Sequence, residues 1–452
     1  APMTDAPAAT PPKSDDAGLA ARQGAHRLIA AVLTQKRALD EAFAQETSRG
    51  PLSKLAPADS GFARAIATET LRHVGALDLI IKRLLDKKLP PRAGITQTIL
   101  RSALAEIFYM GVKPHAAVDL AVEAAAHDSD ALHFKSLVNA LLRRALREAD
   151  TLREGIDGER AALQPWMWRS WIGLYGEIKT REIIRSQMNQ PPLDLSVKDP
   201  ATLDDWAARL GATKLPSGSL RLNTAGRIEQ LEGFDEGAWW VQDAAAALPA
   251  QLLGDVKDRD VLDLCAAPGG KTLWLASRGA HVTSLDRSGP RLERLTQNLE
   301  RLSLRAEIIV EDALKFEPGR TWDKILLDAP CTATGTARRH PDVLLLKSAA
   351  DRDRLADLQA RLLARSAELL SVGGTLVFCT CSLEPEEGPK QIDAFLEAHP
   401  DFARVAIRAD EIGGLTDAIT KSGDLRTLPC HWADLGGLDG FFAARLTRTV
   451  KI

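Results

Sequence analysis

The spacing of apolar residues changes once along the chain, and this change limits the folds that the sequence can adopt. Between residues 18 and 148, four segments carry apolar side chains at intervals of three and four residues, which is the period of an amphipathic helix. Proline and glycine separate these segments, as in "RGPLSKLAPADSG" and "LPPRAG". From Arg259 onwards, short apolar runs such as "RDVLDL" and "WDKILLD" alternate with amphipathic helices. This alternation predicts a doubly wound α/β sheet with helices on both faces.

The 452 residues divide into four predicted parts. Residues 1–17 are rich in Pro, Ala and Asp and lack the basic and apolar regions of a secretory signal, which predicts a disordered tail. Residues 18–150 are predicted to form an all-helical bundle. Residues 151–255 have a mixed pattern, and we predict a small α+β domain that links its neighbours and takes part in RNA binding. Residues 256–452 are predicted to form a Rossmann-like α/β domain.

Composition argues against two classes of protein. No apolar run reaches the ~18 residues of a membrane span, so we expect no membrane contact. The five cysteines are an odd number without regular spacing, which argues against a disulfide scaffold and favours a reducing, cytoplasmic location. The net charge of −3 hides 19 Lys and Arg against 14 Asp and Glu in residues 18–150, an excess of five positive charges. So small an excess fits either a solvated helical surface or a nucleic-acid contact, and both stay open.

The segment "QPWMWRSWIGLYG" gathers four aromatic side chains, at Trp166, Trp168, Trp171 and Tyr175. Aromatic rings can form a platform on which nucleic-acid bases stack. Aromatic residues at helical spacing more often pack between domains, so we favour packing as the interpretation of this segment.

A tight turn follows the first predicted strand of the α/β domain, within "LDLCAAPGGKT". It passes through Pro268, Gly269 and Gly270 to a helix that is expected to start near Thr272. Two adjacent glycines let the backbone approach a ligand whose negative group lies at the helix N-terminus. The turn lacks the G-x-G-x-x-G pattern of dinucleotide-binding proteins.

Three acids are predicted to close three successive strands around this turn. Asp286 follows Asp263 by 23 residues, a spacing typical of an acid that binds a ribose. Asp312 closes the third strand, where it can accept a hydrogen bond from the amino group of a base. The three acids together predict a ligand that carries an adenosine. The residues alone do not choose between NAD and S-adenosylmethionine.

Two of the cysteines, Cys331 in "DAPC" and Cys381 in "TCS", are predicted at strand ends on the same edge of the sheet. Cys265, Cys379 and Cys430 are interpreted as small buried residues. A zinc site needs four ligands, and Cys379 with Cys381 supplies only two, without a CxxC or a nearby His pair, so we predict no metal. A disulfide between those two cysteines would be strained by its very short loop.

The motifs "CAAPGGKT", "DAPCTATG" and "TCSLEPEEG" occur in the order found in S-adenosylmethionine-dependent RNA cytosine-5 methyltransferases, which this domain resembles. "HAAVDLAVEAA" and "FKSLVNALLRRALR" resemble segments of the helical, RNA-binding NusB family. From about residue 18 the chain resembles the bacterial Sun/Fmu family, which methylates a cytosine in small-subunit ribosomal RNA. The resemblance implies S-adenosyl-L-methionine as cofactor. It also implies a monomer that acts on 16S ribosomal RNA in an unassembled or partly assembled small subunit.

The same resemblance implies roles for single residues. It makes Cys381 the nucleophile, assigns Cys331 to release of the product, and lets Asp328 hold the edge of the target base. In DNA cytosine methyltransferases the Pro-Cys cysteine attacks, which would make Cys331 the nucleophile. Those enzymes lack the Thr-Cys-Ser cysteine, so its presence favours Cys381. The residues implied to line the cofactor site are Cys265, Ala266, Ala267, Pro268, Gly269, Gly270, Lys271, Asp286, Asp312 and Asp328.

Two other segments bear on RNA contact. Arg338, Arg339 and His340 follow the "DAPC" motif on a loop expected over the same rim, where they either contact RNA phosphates or are only solvated. After "NQPP" the family usually has an Arg-x-Asn in a strand, whereas this chain reads "LDLSVKDP" and has "LRLNT" only later, at residues 220–224. Either the two strands differ in detail or an RNA-contacting Arg and Asn have been lost. We therefore predict no site residue in residues 151–255.

Two alternatives stay open. The first keeps the cytosine-5 chemistry and changes the substrate to tRNA, because nothing in the sequence names the target base. The second is a non-catalytic RNA-binding ribosome assembly factor that uses a relic α/β fold. The retained cysteines and the three acids argue against the second alternative.

Overall fold

A computed structural model describes residues 15–223 and 226–449. Most of the predicted tail, and Thr224 of the "LRLNT" segment, lie outside these described residues. The chain forms two compact units. One contains the residues up to Arg169 together with Ala337–Lys347, and the other contains Ser170–Thr336 and the residues from Ser348 onwards. None of the helices in the described residues combines the length and the apolarity that crossing a bilayer requires.

The first unit is helical, as the spacing of its apolar residues predicts. Proline occupies the start of three of its helices, where the missing backbone N–H has no partner to lose. The last helix continues across Arg169 into the second unit. The helices are α1 (Asp15–Leu33), α2 (Leu39–Ser48), α3 (Pro57–Leu84), α4 (Thr96–Tyr109), α5 (Pro114–Ala126), α6 (Lys135–Arg147), α7 (Ala149–Arg153), α8 (Gly158–Ala162) and α9 (Pro165–Tyr175).

Helix α3 is central to the helical unit because it contributes to both of its apolar clusters. Phe62 and Ile66 pack in one cluster with residues of α1, and Leu77 packs in the other with residues of α4, α5 and α6. At Gly75 a Cβ atom would lie 2.0 Å from the carbonyl oxygen of Ala161. Glycine is therefore required where α3 meets the backbone of α8.

A buried ion pair also lies in the helical unit. Arg22 donates from Nε to Glu106 Oε1 at 3.1 Å, and both side chains are almost fully buried. Burial raises the pKa of Glu106 to about 7, against the opposing charge of Arg22. One turn further along α1, burial lowers the pKa of His26 to about 3, and its Nε2 lies 2.9 Å from Ser102 Oγ. Arg22 and Glu106 compensate each other's burial, whereas His26 bonds Ser102 through Nε2 and leaves its buried Nδ1 without a hydrogen bond.

The second unit begins with a small four-stranded antiparallel sheet in the order β2-β3-β1-β4. Arg221 in β3 donates to Asp194 in β1 through Nε and Nη2, both at 2.7 Å, and the pair is buried. The elements of this part are α10 (Glu177–Gln187), β1 (Leu193–Val197), α11 (Leu203–Leu210), β2 (Thr213–Lys214), β3 (Leu220–Leu222), β4 (Trp239–Val241) and α12 (Ala244–Gln251).

The large sheet follows from residue 260 onwards. Its elements are β5 (Asp260–Leu264), α13 (Gly270–Ser277), β6 (His281–Asp286), α14 (Gly289–Arg301), β7 (Glu307–Val310), β8 (Trp322–Asp328), α15 (Val343–Leu346), α16 (Ala349–Leu369), β9 (Leu370–Thr380), α17 (Pro389–Ala398), β10 (Phe402–Arg404), β11 (Leu425–Thr427) and β12 (Phe441–Arg448). Strands and helices alternate through most of it, as predicted, but β8 follows β7 without a helix between them. The last three strands pair antiparallel: β10 and β11 with β12, and β12 with β9. Helix α15 lies in the segment that belongs to the helical unit.

The strands of the large sheet lie in the order β10-β12-β9-β8-β5-β6-β7, with β11 paired to β12. The five strands from β9 to β7 in this order are parallel, and β12 pairs antiparallel with β9. Successive residues point to opposite faces: Leu326 joins the apolar cluster on one face, and Ile325 and Leu327 join the cluster on the other. Both faces of the sheet are therefore covered. The prediction of a helical domain followed in the sequence by an α/β sheet is confirmed.

Candidate active site

The site residues predicted from the sequence lie at one edge of the large sheet. Because β5, β6, β7, β8 and β9 run parallel, their carboxyl ends meet at that edge. Cys265 directly follows β5, Asp286 ends β6, and Asp328 ends β8. Asp312 lies just after β7, and Cys381 directly follows β9. The structure thus brings the predicted ligand-binding acids and the predicted nucleophile to the same edge.

The turn after β5 has a backbone shape that few residues adopt. Cys265 has a φ of 59° and Gly269 a φ of 107°, both in the left-handed region. A Cβ atom at Gly269 would lie 2.4 Å from the side chain of Leu295 on α14, so glycine also lets the turn pack against that helix. Helix α13 begins at Gly270, slightly before the predicted start near Thr272. Its first backbone N–H groups are therefore contributed by the glycine turn.

Asp263 differs from its predicted position. It lies inside β5 and is fully buried, so it does not close the strand at the ligand-binding edge. Its Oδ2 accepts a hydrogen bond from Thr272 Oγ1 at 2.6 Å, and that hydroxyl lies 2.8 Å from Ser284 Oγ. Burial raises the pKa of Asp263 to about 7. This acid fastens α13 to the sheet beneath the turn.

Asp286 and Asp312 keep positions from which they can contact a ligand. Asp286 accepts from the backbone N–H groups of Ala267 at 3.1 Å and Ser288 at 2.9 Å, which orders the turn around it. Asp312 is half-buried and accepts from the backbone N–H of Leu314 at 3.0 Å. A carboxylate has about four acceptor positions, so both acids have further positions for a hydroxyl or an amino group.

These residues fit S-adenosylmethionine. Its ribose hydroxyls and its adenine amino group are donors that suit Asp286 and Asp312. The backbone N–H groups at the start of α13 suit its carboxylate. Its positively charged sulfonium suits an edge that carries several acids, among them Asp328.

Asp328 forms an ion pair at the carboxyl end of β8. Lys271 Nζ lies 2.6 Å from Asp328 Oδ2, and the Cys379 thiol donates to Asp328 Oδ1 at 3.4 Å. Burial by itself lowers the pKa of Lys271, but the charge of Asp328 outweighs this effect, and the pKa is raised. Burial raises the pKa of the Cys379 thiol. Lys271 therefore stays charged, and Cys379 is a buried, protonated thiol, in agreement with the predicted packing role.

The thiols of Cys331 and Cys381 lie side by side, with 3.5 Å between their sulfur atoms. Both residues are partly exposed. The hydrogen bond to Cys381 and burial raise the pKa of Cys331 well above the ordinary value of a thiol. Within residues 15–223 and 226–449, no three His, Cys, Asp or Glu side chains are grouped as the ligands of a metal ion would be.

The loop after Cys381 is held by two buried acids that the sequence analysis missed. Glu384 accepts from Ser170 Oγ at 2.5 Å and from Trp171 Nε1 at 2.6 Å. Glu387 accepts from Thr332 and Ser382, the residues that directly follow the two cysteines of the site. The "TCSLEPEEG" motif contains both acids, but sequence spacing alone does not distinguish a buried acid from a solvated one.

Two side chains of the predicted aromatic segment, those of Trp171 and Tyr175, contact the loop after Cys381. Trp171 is fully buried, and Tyr175 donates from its hydroxyl to the carbonyl oxygen of Leu383 at 2.7 Å. These contacts agree with packing and exclude base stacking on Trp171. Trp168 is half-buried, with the guanidinium carbon of Arg160 5.1 Å from its ring centre.

The loop that carries Arg338, Arg339 and His340 belongs to the helical unit. The carbonyl oxygen of Arg338 accepts from Arg72 at 2.7 Å, and Asp342 accepts from the backbone N–H of Leu39 at 2.9 Å. The side chain of Arg338 is 1% exposed, so neither of the two alternatives left open for it, a phosphate contact or a solvated position, fits this buried guanidinium. Arg339 and His340 are half-buried, and His340 Nδ1 lies 3.4 Å from Asp40 Oδ2.

The "LRLNT" segment also has a structural explanation. Besides the pair with Asp194, Arg221 donates from Nη1 to the carbonyl oxygens of Leu435 and Gly437, both at 2.8 Å. Its guanidinium is thus used within the protein, and it is 2% exposed. We therefore assign Arg221 to the framework of the small sheet.

A parallel α/β sheet whose carboxyl edge fits S-adenosylmethionine, preceded in the chain by a helical domain, is consistent with an α/β-class methyltransferase. The family described as 16S rRNA methyltransferase RsmB/F matches residues 250–447, and the NusB family matches residues 19–147. The chain belongs to the ribosomal RNA small subunit methyltransferase B family. Its members are ribosomal RNA methyltransferases, so this protein is a methyltransferase that acts on RNA.

Two relatives show the extent of the match. Ribosomal RNA small subunit methyltransferase B of Pasteurella multocida strain Pm70 is 35% identical over 398 residues, which cover 84% of this chain and 86% of that protein. The protein of the same name from Pseudomonas putida strain KT2440 is 34% identical over 447 residues, 94% of this chain and 98% of that protein. Among solved structures, that of PH0851 shares the fold with a TM-score of 0.73 at 23% identity, covering 97% of this chain and 100% of that chain.

Proposed function

We propose that this enzyme transfers a methyl group from S-adenosylmethionine to carbon 5 of a cytosine in small-subunit ribosomal RNA, through a covalent bond between Cys381 and carbon 6. The observation that carries the proposal is the pair of thiols of Cys331 and Cys381, 3.5 Å apart at the carboxyl edge of the sheet. A methyltransferase that acts on a hydroxyl or an amine has no need of two adjacent thiols.

The chemistry explains why a thiol is needed. Carbon 5 of cytosine is too weak a nucleophile to take a methyl group directly. A thiolate that adds to carbon 6 converts the ring into an enamine, whose carbon 5 can then attack. A base must afterwards remove the proton from carbon 5, so that the thiolate is eliminated and the product is released.

The division of labour between the thiols rests mainly on the motifs that carry them. The hydrogen bond to Cys381 and burial raise the pKa of Cys331, and a raised pKa makes a thiol less available as an attacking thiolate. Cys381 follows β9 and belongs to the "TCS" motif, which DNA cytosine methyltransferases lack, and like Cys331 it is partly exposed to a base held at this edge. We therefore assign attack to Cys381 and release of the product to Cys331.

Asp328 has the position and the charge to hold the target base. Lys271 fixes its Oδ2 from 2.6 Å away, and the Cys379 thiol contacts its Oδ1. A carboxylate held in this way can accept from the 4-amino group of cytosine. Lys271 also balances the negative charge of Asp328 beside the reacting ring.

The methyl donor is S-adenosylmethionine, which supplies an electrophilic methyl group on its sulfonium. The residues proposed to hold it are the turn from Cys265 to Lys271, with Asp286, Asp312 and Asp328. Asp286 orders the turn through Ala267, so the ligand-binding acid and the backbone of the turn support each other.

We propose that the predicted division of the chain also divides the work. Residues 18–150 bind RNA, residues 151–255 link the other two parts and take part in RNA binding, and residues 256–452 catalyse the reaction. The partner is 16S ribosomal RNA, in an unassembled or partly assembled subunit, and the enzyme is a monomer in the cytoplasm. The relatives named for the small ribosomal subunit support this choice of RNA.

Bisulfite sequencing of total RNA from a strain that lacks this protein tests the proposal. We expect one cytosine of the small-subunit ribosomal RNA to lose its protection, and the intact gene to restore it. Loss of protection only in a tRNA would favour the tRNA alternative. Unchanged RNA, together with no binding of S-adenosylmethionine in a calorimetric titration, would favour the non-catalytic assembly factor.

A further inference from the structure

One buried carboxylate joins the two segments that carry the thiols of the site. Glu387 is 0% exposed and accepts four hydrogen bonds. Its Oε1 accepts from the backbone N–H of Thr332 at 2.9 Å and from Gln359 Nε2 at 3.1 Å. Its Oε2 accepts from Thr332 Oγ1 and Ser382 Oγ, both at 2.5 Å. Four donors fill the acceptor positions of a carboxylate, which explains how the group is tolerated in the interior.

The donors are the immediate neighbours of the thiols. Thr332 follows Cys331, and Ser382 follows Cys381. A second set of contacts joins the same segments: the backbone N–H of Gly335 donates to the carbonyl oxygen of Cys381 at 2.9 Å, and that of Leu383 donates to Thr334 Oγ1 at 3.0 Å. Two sets of bonds therefore join the segments that carry the thiols, and the set that includes the immediate neighbours of both thiols converges on Glu387.

The segment after Cys331 also needs such support. Ala333 has a φ of 58°, a left-handed conformation that is unfavourable for a residue with a Cβ atom. Thr332, directly before it, is fully buried and bonded to Glu387 through both its backbone and its side chain. Contacts of this kind hold a strained backbone in place.

We propose that Glu387 is a positioning residue that sets the spacing of Cys331 and Cys381. The importance of that spacing for methyl transfer rests on the proposed function, whereas the spacing itself does not. The negative charge of Glu387 is also one of the smaller influences that raise the pKa of Cys331, after the hydrogen bond to Cys381 and burial. Glu387 thus acts on the geometry of the pair and on the protonation of one member.

The test measures the thiol pair without RNA or cofactor. Phenylarsine oxide forms a ring with two thiols that lie close together, with loss of one water, so its affinity reports their spacing. The intact protein is titrated with the arsenical, and mass spectrometry identifies the bridged residues as Cys331 and Cys381. We expect Glu387→Gln to weaken this binding about tenfold, because two hydroxyl donors lose a charged acceptor while the volume is preserved.

Matched variants separate positioning from general stability. Glu384→Gln makes the same change in the same loop, at an acid that binds Ser170 and Trp171, and should leave arsenical binding unchanged. Thr332→Val removes one donor and should weaken binding as Glu387→Gln does, whereas Thr332→Ser keeps the hydroxyl and should restore it. If Glu387→Gln does not fold, as judged by circular dichroism, Thr332→Val carries the test.

Wild-type affinity for the arsenical in folded Glu387→Gln overturns the proposal, whatever its methylation activity. Equal weakening in Glu384→Gln also overturns it, since the effect would then be one of loop stability. A methylation assay gives a second readout. For Glu387→Gln we expect kcat to fall about tenfold or more while the KM for RNA stays unchanged, because a misplaced nucleophile slows the chemical step and not binding. Absence of any RNA adduct in Cys331→Ala would refute the proposed function while leaving the spacing result intact.

Discussion

Gly335 is the position where one added methyl group should most directly disturb the nucleophile. A Cβ atom there would lie 2.0 Å from the carbonyl oxygen of Gly440 and 2.8 Å from that of Cys381. Both obstacles are backbone atoms, so no side chain can rotate away. Two backbone hydrogen bonds hold the same contact, from Gly335 to Cys381 at 2.9 Å and from Gly440 to Gly335 at 2.8 Å. Gly335→Ala must therefore push these segments apart by about 1 Å or more.

The expected loss of stability follows from these contacts. Overpacking costs roughly 1–3 kcal/mol, and each strained hydrogen bond adds about 1 kcal/mol, so we expect a loss of about 2–4 kcal/mol. A displacement of about 1 Å at Cys381 should lower kcat by about 100-fold. Urea denaturation and single-turnover methylation measure the two effects. Gly173→Ala is the control: its Cβ meets no atom within 4 Å, and a helical alanine should stabilise by roughly 0.5–1 kcal/mol. A Gly335→Ala protein with wild-type stability and kcat would refute the reasoning.

Three further predictions concern the acids and the buried thiol. Asp286→Ala should weaken the binding of S-adenosylmethionine by on the order of 2–3 kcal/mol, because it removes the charged acceptor proposed for the two ribose hydroxyls. An unchanged dissociation constant in calorimetry would contradict this assignment. Asp263 has a pKa of about 7 in the folded protein, so the folded state keeps its proton to higher pH than the unfolded state, and stability falls as pH rises from about 4 to about 7. In denaturation experiments, Asp263→Asn should remove up to roughly 4 kcal/mol of the change in unfolding free energy over this pH range. An unaltered dependence of the unfolding free energy on pH would show that Asp263 is ionised throughout. Cys379→Ser should keep most methylation activity and lose about 1 kcal/mol of stability, since the serine hydroxyl enters an apolar cluster, where the present thiol bonds Asp328 at 3.4 Å; an inactive but folded variant would show that the Cys379 thiol takes part in catalysis.

The parts of the structure that the sequence predicted depend on local patterns. Apolar spacing identified the helical unit and the strand–helix alternation, because these periods reflect which face of each element is buried. The position of Asp286, Asp328 and Cys381 at one edge followed from the rule that parallel strands end together. Asp263 was misplaced because the end of β5 lies one residue further on, and a shift of one residue reverses the face on which a strand side chain lies.

What the sequence could not predict depends on contacts between distant segments. Glu387 meets Thr332 across 55 residues of chain, and Arg72 meets the carbonyl oxygen of Arg338 across 266. No role was predicted for Arg221 in the "LRLNT" segment, and only its pairing with Asp194 assigns it to the framework. In each case a charged residue is buried, and a single sequence does not reveal burial when the partner is far away.

The central claim is that Cys381 attacks and Cys331 releases, and one gel tests it most directly. Each cysteine is replaced by alanine, and the purified proteins are incubated with substrate RNA and S-adenosylmethionine before denaturing electrophoresis. Cys331→Ala should accumulate a slow band of RNA-linked protein, because attack proceeds and elimination fails. Cys381→Ala should form neither this band nor methylated RNA. A slow band in Cys381→Ala but not in Cys331→Ala would contradict the account and assign attack to Cys331.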